Sequence, residues 1–306
     1  MLSLFDGISC GRVALENLGM KIDRYYTSEI DRDAIAISDF HYPDNEKLGD
    51  VNYWEDWEDW EIDWASIDLI FAGFPCQSWS VNGKLQGIED AKGQLVYPML
   101  HIIEKVRSLN PGVKFILENV KMKTRFQDFL TGLIGVEPIL LNSGRVSAQN
   151  RERLYWTNIE MVEFENADVV FKDIMEESPQ EVKGGQMVEY FEEKEGKLTS
   201  RGLCHIGTAD INGMDSIKRV YHPDGKSPTL QTTSGGNREA KFATSKTTWR
   251  KITPLEAERL QTLPDNYTQY GIKSGETVPI SNSKRFFTVG NGWTVSIIEK
   301  ILEGMA

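Results

Sequence analysis

Residues 1 to about 160 alternate short apolar runs with stretches of helical periodicity. That alternation admits few architectures besides a mostly parallel sheet with helices on both faces. Leu2–Phe5 reads as a first strand, Arg12–Leu18 as a first helix, Arg24–Ser28 as a second strand and Asp33–Phe40 as a second helix. A strand ends at Ala72, an amphipathic helix runs from Leu95 to Leu109, and Asn110-Pro111-Gly112 stops it before the strand Val113–Leu117. Between 161 and 250 the pattern gives way to acidic, glycine-rich and Ser/Thr-rich stretches, which predict a smaller, loop-rich domain. Helical periodicity returns at Thr253–Leu263, where Thr253, Pro254 and Glu256 have the spacing of a capping box with proline at the first helical position. The last helix, Thr294–Leu302, is expected to pack beside the first. The expected division is therefore a catalytic domain over 1–160 completed by 270–306, an inserted domain over 161–250, and a linking helix over 251–269.

The residues with chemistry to offer sit where the apolar runs end. Gly73-Phe74-Pro75-Cys76-Gln77-Ser78 follows Ile67–Ala72, Glu118-Asn119-Val120 closes the next strand, and Gln149-Asn150-Arg151-Glu152-Arg153 follows a third. A cysteine on a turn that feeds a helix N-terminus has its pKa lowered from about 8.5 toward roughly 3.5 to 7.5, which makes it a nucleophile. A lone Pro-Cys pair reads more often as a buried, inert thiol; the carboxylate and guanidinium at neighbouring strand ends favour the nucleophile.

Phe5-Asp6-Gly7-Ile8-Ser9-Cys10-Gly11 links the first strand to the first helix, so its backbone N–H groups face a bound anion or carboxylate. The spacing is not the Gly-x-Gly-x-x-Gly of dinucleotide binders. Glu29 ends the second strand, where a carboxylate reaches both hydroxyls of an unphosphorylated ribose, or alternatively caps the helix that starts near Asp31. A nucleoside cofactor without a pyrophosphate, such as S-adenosylmethionine, fits both features.

Phe5-Asp6-Gly7, Pro75-Cys76-Gln77, Glu118-Asn119-Val120, Gln149-x-Arg151-x-Arg153, Thr253–Gln261 and Gly290-Asn291 occur in one order along nearly the whole chain. In this the sequence resembles the DNA (cytosine-5) methyltransferases. The resemblance implies a Rossmann-like, S-adenosylmethionine-dependent fold carrying an inserted target-recognition domain. It also implies a covalent adduct between Cys76 and carbon 6 of a flipped-out cytosine in a short double-stranded DNA site. Glu118 would act at ring nitrogen 3 and Arg153 at the base carbonyl, with Arg151 steadying the loop and Glu118; a surface pairing of these arginines with Glu152 is the plainer alternative. Ile30 would pack on the adenine and Asp50, followed by Val51, would accept from its amino group unless it only caps a turn. Gly73, Pro75, Leu95, Asn291 and Gly292 would complete the cofactor pocket. After the nucleophile, Ser80 and Lys84 would hold phosphate and Asn82 would fill the gap left by the base. Arg219, Thr229, Gln231 and Thr233 fall in two expected recognition loops. Trp293 follows Gly292 where many bacterial members carry a serine. The alternative readings are an RNA (tRNA) cytosine-5 methyltransferase on the same fold and a catalytically silent DNA-binding homologue, the latter opposed by the intact Cys76, Glu118, Arg151 and Arg153.

The formal net charge of −12 opposes simple nonspecific binding to phosphates. Lys218, Arg219, Lys226, Arg238, Lys241, Lys246, Arg250 and Lys251 are expected to concentrate positive charge locally. Much of the acid lies in Trp54–Trp64, whose tryptophans, at spacings of three, three and four, predict one apolar helical stripe. Three scattered cysteines and four histidines without ligand spacing predict neither disulfide nor metal. With no apolar run of about 18 residues, the expectation is a cytoplasmic monomer that acts on DNA, with a cognate restriction endonuclease as a partner the family admits.

Overall fold

The computed structural model describes residues 1–57, 62–75, 93–177, 179, 182–191, 202–232 and 237–305. The chain forms two compact units, one of Met1–Leu141, Glu152–Glu163 and Ile298–Ala306, the other of Asn142–Arg151 and Phe164–Ile297.

The first unit is built on seven strands: β1 Leu2–Leu4, β2 Tyr26–Ser28, β3 Glu46–Lys47, β4 Leu69–Gly73, β5 Lys114–Val120, β6 Pro138–Asn142 and β7 Glu152–Thr157. Their order is β3-β2-β1-β4-β5-β7-β6, parallel from β3 through β5 and antiparallel between β5 and β7. Between them run α1 Cys10–Asn17, α2 Arg32–His41, α3 Val96–Leu109 and α4 Thr124–Ile134. The central strands β1, β4 and β5 are mostly apolar because both faces are covered; Leu2, Leu4, Ile70, Ala72, Phe115 and Leu117 join Met99, Ile102, Ile103 and Val106 of α3 in one core. Each such side chain contributes roughly 1.5–3 kcal/mol on burial. Local chemistry sets the ends. Asp31 caps α2 by accepting from Asp33 N and Ala34 N, and Asn110 closes α3, its Oδ1 accepting from Gly112 N while its Nδ2 donates to Ile67 O.

The tryptophan segment does not form the expected single helix. Val51–Asp56 is a 3₁₀ turn capped by Asp50, Trp57 is extended, and a second 3₁₀ turn covers Trp64–Ser66. Aspartates compete for nearby backbone N–H groups and so favour turns over helix interiors. The rings still reach the core: Trp57 stacks on Trp64 at 6.1 Å and Trp54 meets Trp64 edge-on at 6.3 Å. Trp60 lies outside the described residues.

In the second unit β8 Gly184–Tyr190, β9 His205–Ala209, β10 Arg219–Tyr221, β11 Lys241–Ala243 and β12 Thr248–Lys251 close into a barrel ordered β10-β11-β12-β8-β9. The region expected to be loop-rich is thus a closed sheet. Its glycines misled the composition argument. A Cβ on Gly184 would stand 2.5 Å from Trp249 O and one on Gly207 2.7 Å from Glu189 O, so glycine here permits close strand approach in a tight barrel. A hairpin, β13 Tyr270–Lys273 with β14 Glu276–Pro279, and helices α5 Phe171–Ile174, α6 Asp215–Lys218, α7 Pro254–Leu260 and α8 Asn282–Asn291 complete this unit. The capping box on α7 forms as expected: Thr253 Oγ1 accepts from Glu256 N and Glu256 Oε2 from Thr253 N. The final helix, α9 Val295–Leu302, lies beside α1, where Asn17 Nδ2 donates to Glu299 Oε1 at 2.6 Å.

Candidate active site

Strand register lines up the sequence motifs of the first unit. Leu4 pairs with Ser28 on one side and Ala72 on the other, and Gly73 pairs with Glu118. Glu29, Phe5, Gly73 and Glu118 therefore follow one another along the carboxyl edge of the sheet, across three strand spacings of about 14 Å. This is the edge where open α/β sheets bind ligands, at the point where strand order reverses.

The first turn is strained. Phe5, Gly7 and Ser9 all have left-handed φ, at 55°, 59° and 59°, a region costly for residues with a side chain. Hydrogen bonds hold it. Ser9 Oγ donates to Asp6 Oδ2 at 2.5 Å and lies 2.8 Å from Ser38 Oγ, Tyr25 Oη donates to Asp6 Oδ1, and Asn45 Nδ2 donates to both serine hydroxyls. Asn45 in turn accepts from Arg12, whose guanidinium lies over the Tyr42 ring. This support was not foreseen from sequence, since Asn45, Ser38 and Arg12 carry no motif. Ile8 and Cys10 are buried beneath the turn, and Gly11 lies inside α1 against the Phe71 ring.

Glu29 is bound to the turn directly: Oε2 accepts from Gly7 N at 2.8 Å, and Oε1 from Ile30 N and Asp31 N. The α2 cap is Asp31, not Glu29. A cavity is lined by Asp6, Gly7, Thr27, Glu29, Ile35, Ser38, Asp39, Lys47 and Gly49. At Gly7 nothing lies within 4 Å of where a Cβ would stand, so the space beside the turn is open; the N–H groups of Asp6, Gly7 and Ser9, expected to face a bound anion, donate instead to Ser28 O, Glu29 Oε2 and Asp6 O. Ile30 is 67% exposed beside it, and Asp50 accepts through Oδ1 from Asn52 N and Nδ2. Val51 is buried; Leu95 packs on the core, and Gly73 and Pro75 are partly covered.

Burial raises the Asp6 carboxyl to about 6, against hydrogen bonds from Ser3, Ser9 and Tyr25 that favour its charged form. The folded chain therefore takes up this proton near pH 6 and the unfolded chain near 3.8. Ionised Asp6 weighs against folding above pH 6, and that penalty fades as pH falls through this window. Asp6→Asn is expected to gain stability relative to wild type at pH 7.5 and to lose that gain by pH 4, read as the difference in urea midpoint. A pH-independent difference would refute the shift.

Glu118, buried near the end of β5, pairs with Arg153 of β7: Nε lies 2.9 Å from Oε1. Arg153 also donates to Glu152 O, while Glu152 faces Lys121 at 3.5 Å. The adjacent Asn119 donates through Nδ2 to Phe74 O at 3.1 Å and accepts from Val120 N. Asn119 thus fixes the backbone two residues ahead of Cys76, a role the sequence reading missed although Asn119 stands within the Glu-Asn-Val block. Cys76, Ser80, Asn82 and Lys84 lie outside the described residues, as does Thr233.

The other motifs interlock in the second unit. Arg151 Nη2 donates to Gly290 O and Gly292 O at 3.3 and 3.0 Å. Gln149, fully buried, donates to Leu260 O and Gln261 Oε1 and accepts from Leu230 N. Gln261 Nε2 donates to Val289 O and Gly292 O, and its Oε1 accepts from Thr294 Oγ1. Blocks more than a hundred residues apart in sequence are one buried network. Arg151 holds the Gly290–Gly292 backbone, and Arg153 pairs with Glu118.

The expected positive patch is half as large as its sequence count. Lys226 donates to Ser147 O and Val169 O, Lys241 to three carbonyls, Lys251 pairs with Glu239, and Arg250 with Glu256. Composition does not show which basic side chains find carbonyl or carboxylate partners inside the unit. Arg219, Arg238 and Lys246 are exposed. Thr229 Oγ1 donates to Asn150 O at 2.6 Å, and Gln231 is exposed. Asn291 ends α8 and is exposed, and Trp293 is buried. Among the described residues no helix is long and apolar enough to cross a membrane, and no group of three or more His, Cys, Asp or Glu is placed to hold a metal ion.

The profile of the C-5 cytosine-specific DNA methylase family matches residues 1–306. The chain is 29% identical over 344 residues to the type II methyltransferase M.HpaII of Haemophilus parainfluenzae, covering 99% of this chain and 88% of that one. It is 28% identical over 339 residues to the type II methyltransferase M.NlaX of Neisseria lactamica, covering 100% and 95%. The orphan methyltransferase M.SPBetaI of Bacillus phage SPbeta is 26% identical over 435 residues, covering 99% and 96%. Among solved structures, a DNMT2 mutant from Spodoptera frugiperda and the S. pombe Dnmt2 methyltransferase share the fold, each with a TM-score of 0.62 and with 99% and 98% coverage, at 15% and 13% identity. With its motifs ordered along the carboxyl edge of a Rossmann-like sheet and a profile match from end to end, this chain belongs to the C-5 cytosine-specific DNA methylase family and is a DNA cytosine-5 methyltransferase.

Proposed function

We propose that the protein methylates carbon 5 of a cytosine extruded from a short double-stranded DNA site, through a transient adduct with Cys76. The reading is supported above all by the arrangement at the end of β4 and β5. Gly73 pairs with Glu118, Asn119 grips the Phe74 carbonyl, and Glu118 is held by Arg153, all within three residues of Cys76 in sequence or register.

The donor residues fit S-adenosylmethionine. Glu29 has acceptor capacity beyond its three backbone donors, Gly7 leaves open space beside the turn, and Ile30 offers an apolar surface to an adenine. Bound there, S-adenosylmethionine supplies an electrophilic methyl group. The chain's own residues do the rest. The Cys76 thiolate adds to carbon 6 of the ring, which makes carbon 5 nucleophilic. Glu118 stabilises the developing charge by donating at ring nitrogen 3, a form of assistance worth about 100- to 10,000-fold. Arg153 has a donor to offer the base carbonyl. Loss of the carbon 5 proton to water and expulsion of the thiolate release the product. The closed barrel of the second unit presents Arg219 as its base-reading candidate.

The test is incorporation of labelled methyl from S-adenosylmethionine into DNA and, separately, into tRNA. The expected result is label in DNA only, with bisulfite sequencing of expressing cells giving the site. Label confined to tRNA would assign the fold to RNA instead.

A further inference from the structure

Lys241 is 2% exposed on β11 of the barrel. Its ammonium donates to Ile217 O at 2.8 Å, Asn237 O at 2.6 Å and Glu239 O at 3.1 Å, one acceptor for each of its three protons. Burying an ammonium is costly, and an apolar side chain of the same volume is commonly as stabilising or more so. Its location gives it another use. Ile217 belongs to α6, which leads into Arg219, and Asn237 and Glu239 flank Arg238; both arginines are exposed. The backbone joining these two segments is slight, because β10 and β11 pair at only two positions, Val220 with Lys241 and Tyr221 with Phe242. Asn237 is in addition held at a φ of 61°.

We propose that Lys241 is a positioning residue for target recognition, clamping the Arg219-bearing and Arg238-bearing segments at a fixed separation so that the two arginines read DNA in one register. The inference rests on the reading that this barrel contacts DNA. The charged groups facing the ammonium are Glu239 and Lys251, which pair with each other at 2.9 Å. Burial first, and Lys251 second, bring Lys241 down to about 8. A neutral amine donates two hydrogen bonds rather than three, so one of the clamped carbonyls is released as the proton leaves.

The experiment scores site discrimination by bisulfite sequencing of a duplex library randomised around a central cytosine, alongside cofactor binding. Lys241→Met is expected to blur the methylated consensus, lowering discrimination by about tenfold, while cofactor binding to the first unit is retained. Lys241→Arg, which keeps the charge and donors, is expected to restore it. A sharp consensus in folded Lys241→Met overturns the proposal. Should that variant not fold, wild-type discrimination is followed from pH 7 to 9. It must decline across this interval while Lys241→Arg stays level, and a flat wild-type profile overturns the proposal. Ionisation of the nucleophile alters all sites alike and cancels from the ratio. Arg219→Ala separates the two readings: if it blurs the consensus and Lys241→Met does not, only the clamp fails, whereas if neither does, the barrel is not the reader.

Discussion

Cys76→Ser is expected to reduce methyl transfer to DNA on the order of 10⁴-fold or more and to abolish a denaturation-resistant complex with DNA carrying 5-fluorocytosine. The two readouts probe one bond. A thiolate is strongly nucleophilic, whereas a serine hydroxyl reacts only when a neighbouring base activates it. Fluorine at carbon 5 cannot leave as a cation, so after methyl transfer the thiolate cannot be expelled and the adduct persists. Glu118→Gln gives the complementary pattern: slow transfer, with trapping that still goes to completion given time, because the nucleophile remains. Wild-type-like trapping in Cys76→Ser would remove the sulfur from the mechanism. Loss of trapping in both variants together with loss of cofactor binding would point instead to a disturbed β4–β5 edge, where Asn119 ties the Phe74 carbonyl.

The sheet was legible because its central strands are mostly apolar and α3 carries a clear stop; the Asn110 and Thr253 signals work through hydrogen bonds that stand as expected. The order of motifs along the edge was legible for the same reason, since strand ends are where apolar runs stop. What the sequence concealed were relations across distance. Gln149 and Gln261 read as polar residues in motifs and prove to be fully buried partners. The barrel strands are three to seven residues long and interrupted by glycine, too short for alternation to stand out against turn composition. Lys241 and Arg250 read as surface charge because a lysine or arginine announces nothing about which face of a three- or four-residue strand it occupies. The tryptophan stripe misled in the opposite sense: helical spacing was present, yet two 3₁₀ turns, the first capped by Asp50, bring Trp57 and Trp64 to the core.

Glu256 shows most directly how much of the second unit depends on such a concealed relation, and Glu256→Ala is expected to cost about 3–5 kcal/mol of stability. The side chain is fully buried and accepts four hydrogen bonds: from Arg250 Nη1 and Nη2 at 2.9 and 2.6 Å, from Thr253 N at 2.9 Å, and from Glu176 N at 2.9 Å. It therefore joins the last barrel strand, the start of α7 and the segment after α5. Truncation leaves the Arg250 guanidinium, itself 8% exposed, without its counter-charge and strands two backbone donors. A lost helix cap alone is worth only about 1 kcal/mol, so a large effect separates the buried ion pair from the capping box read in the sequence. The midpoint of thermal unfolding should fall by roughly 10 °C. The double variant Arg250→Met, Glu256→Met should recover part of the loss, because removing both charges avoids leaving one unpaired. If Glu256→Ala shifts stability by no more than about 0.5 kcal/mol, as an exposed substitution would, the pair is not what holds β12 to α7.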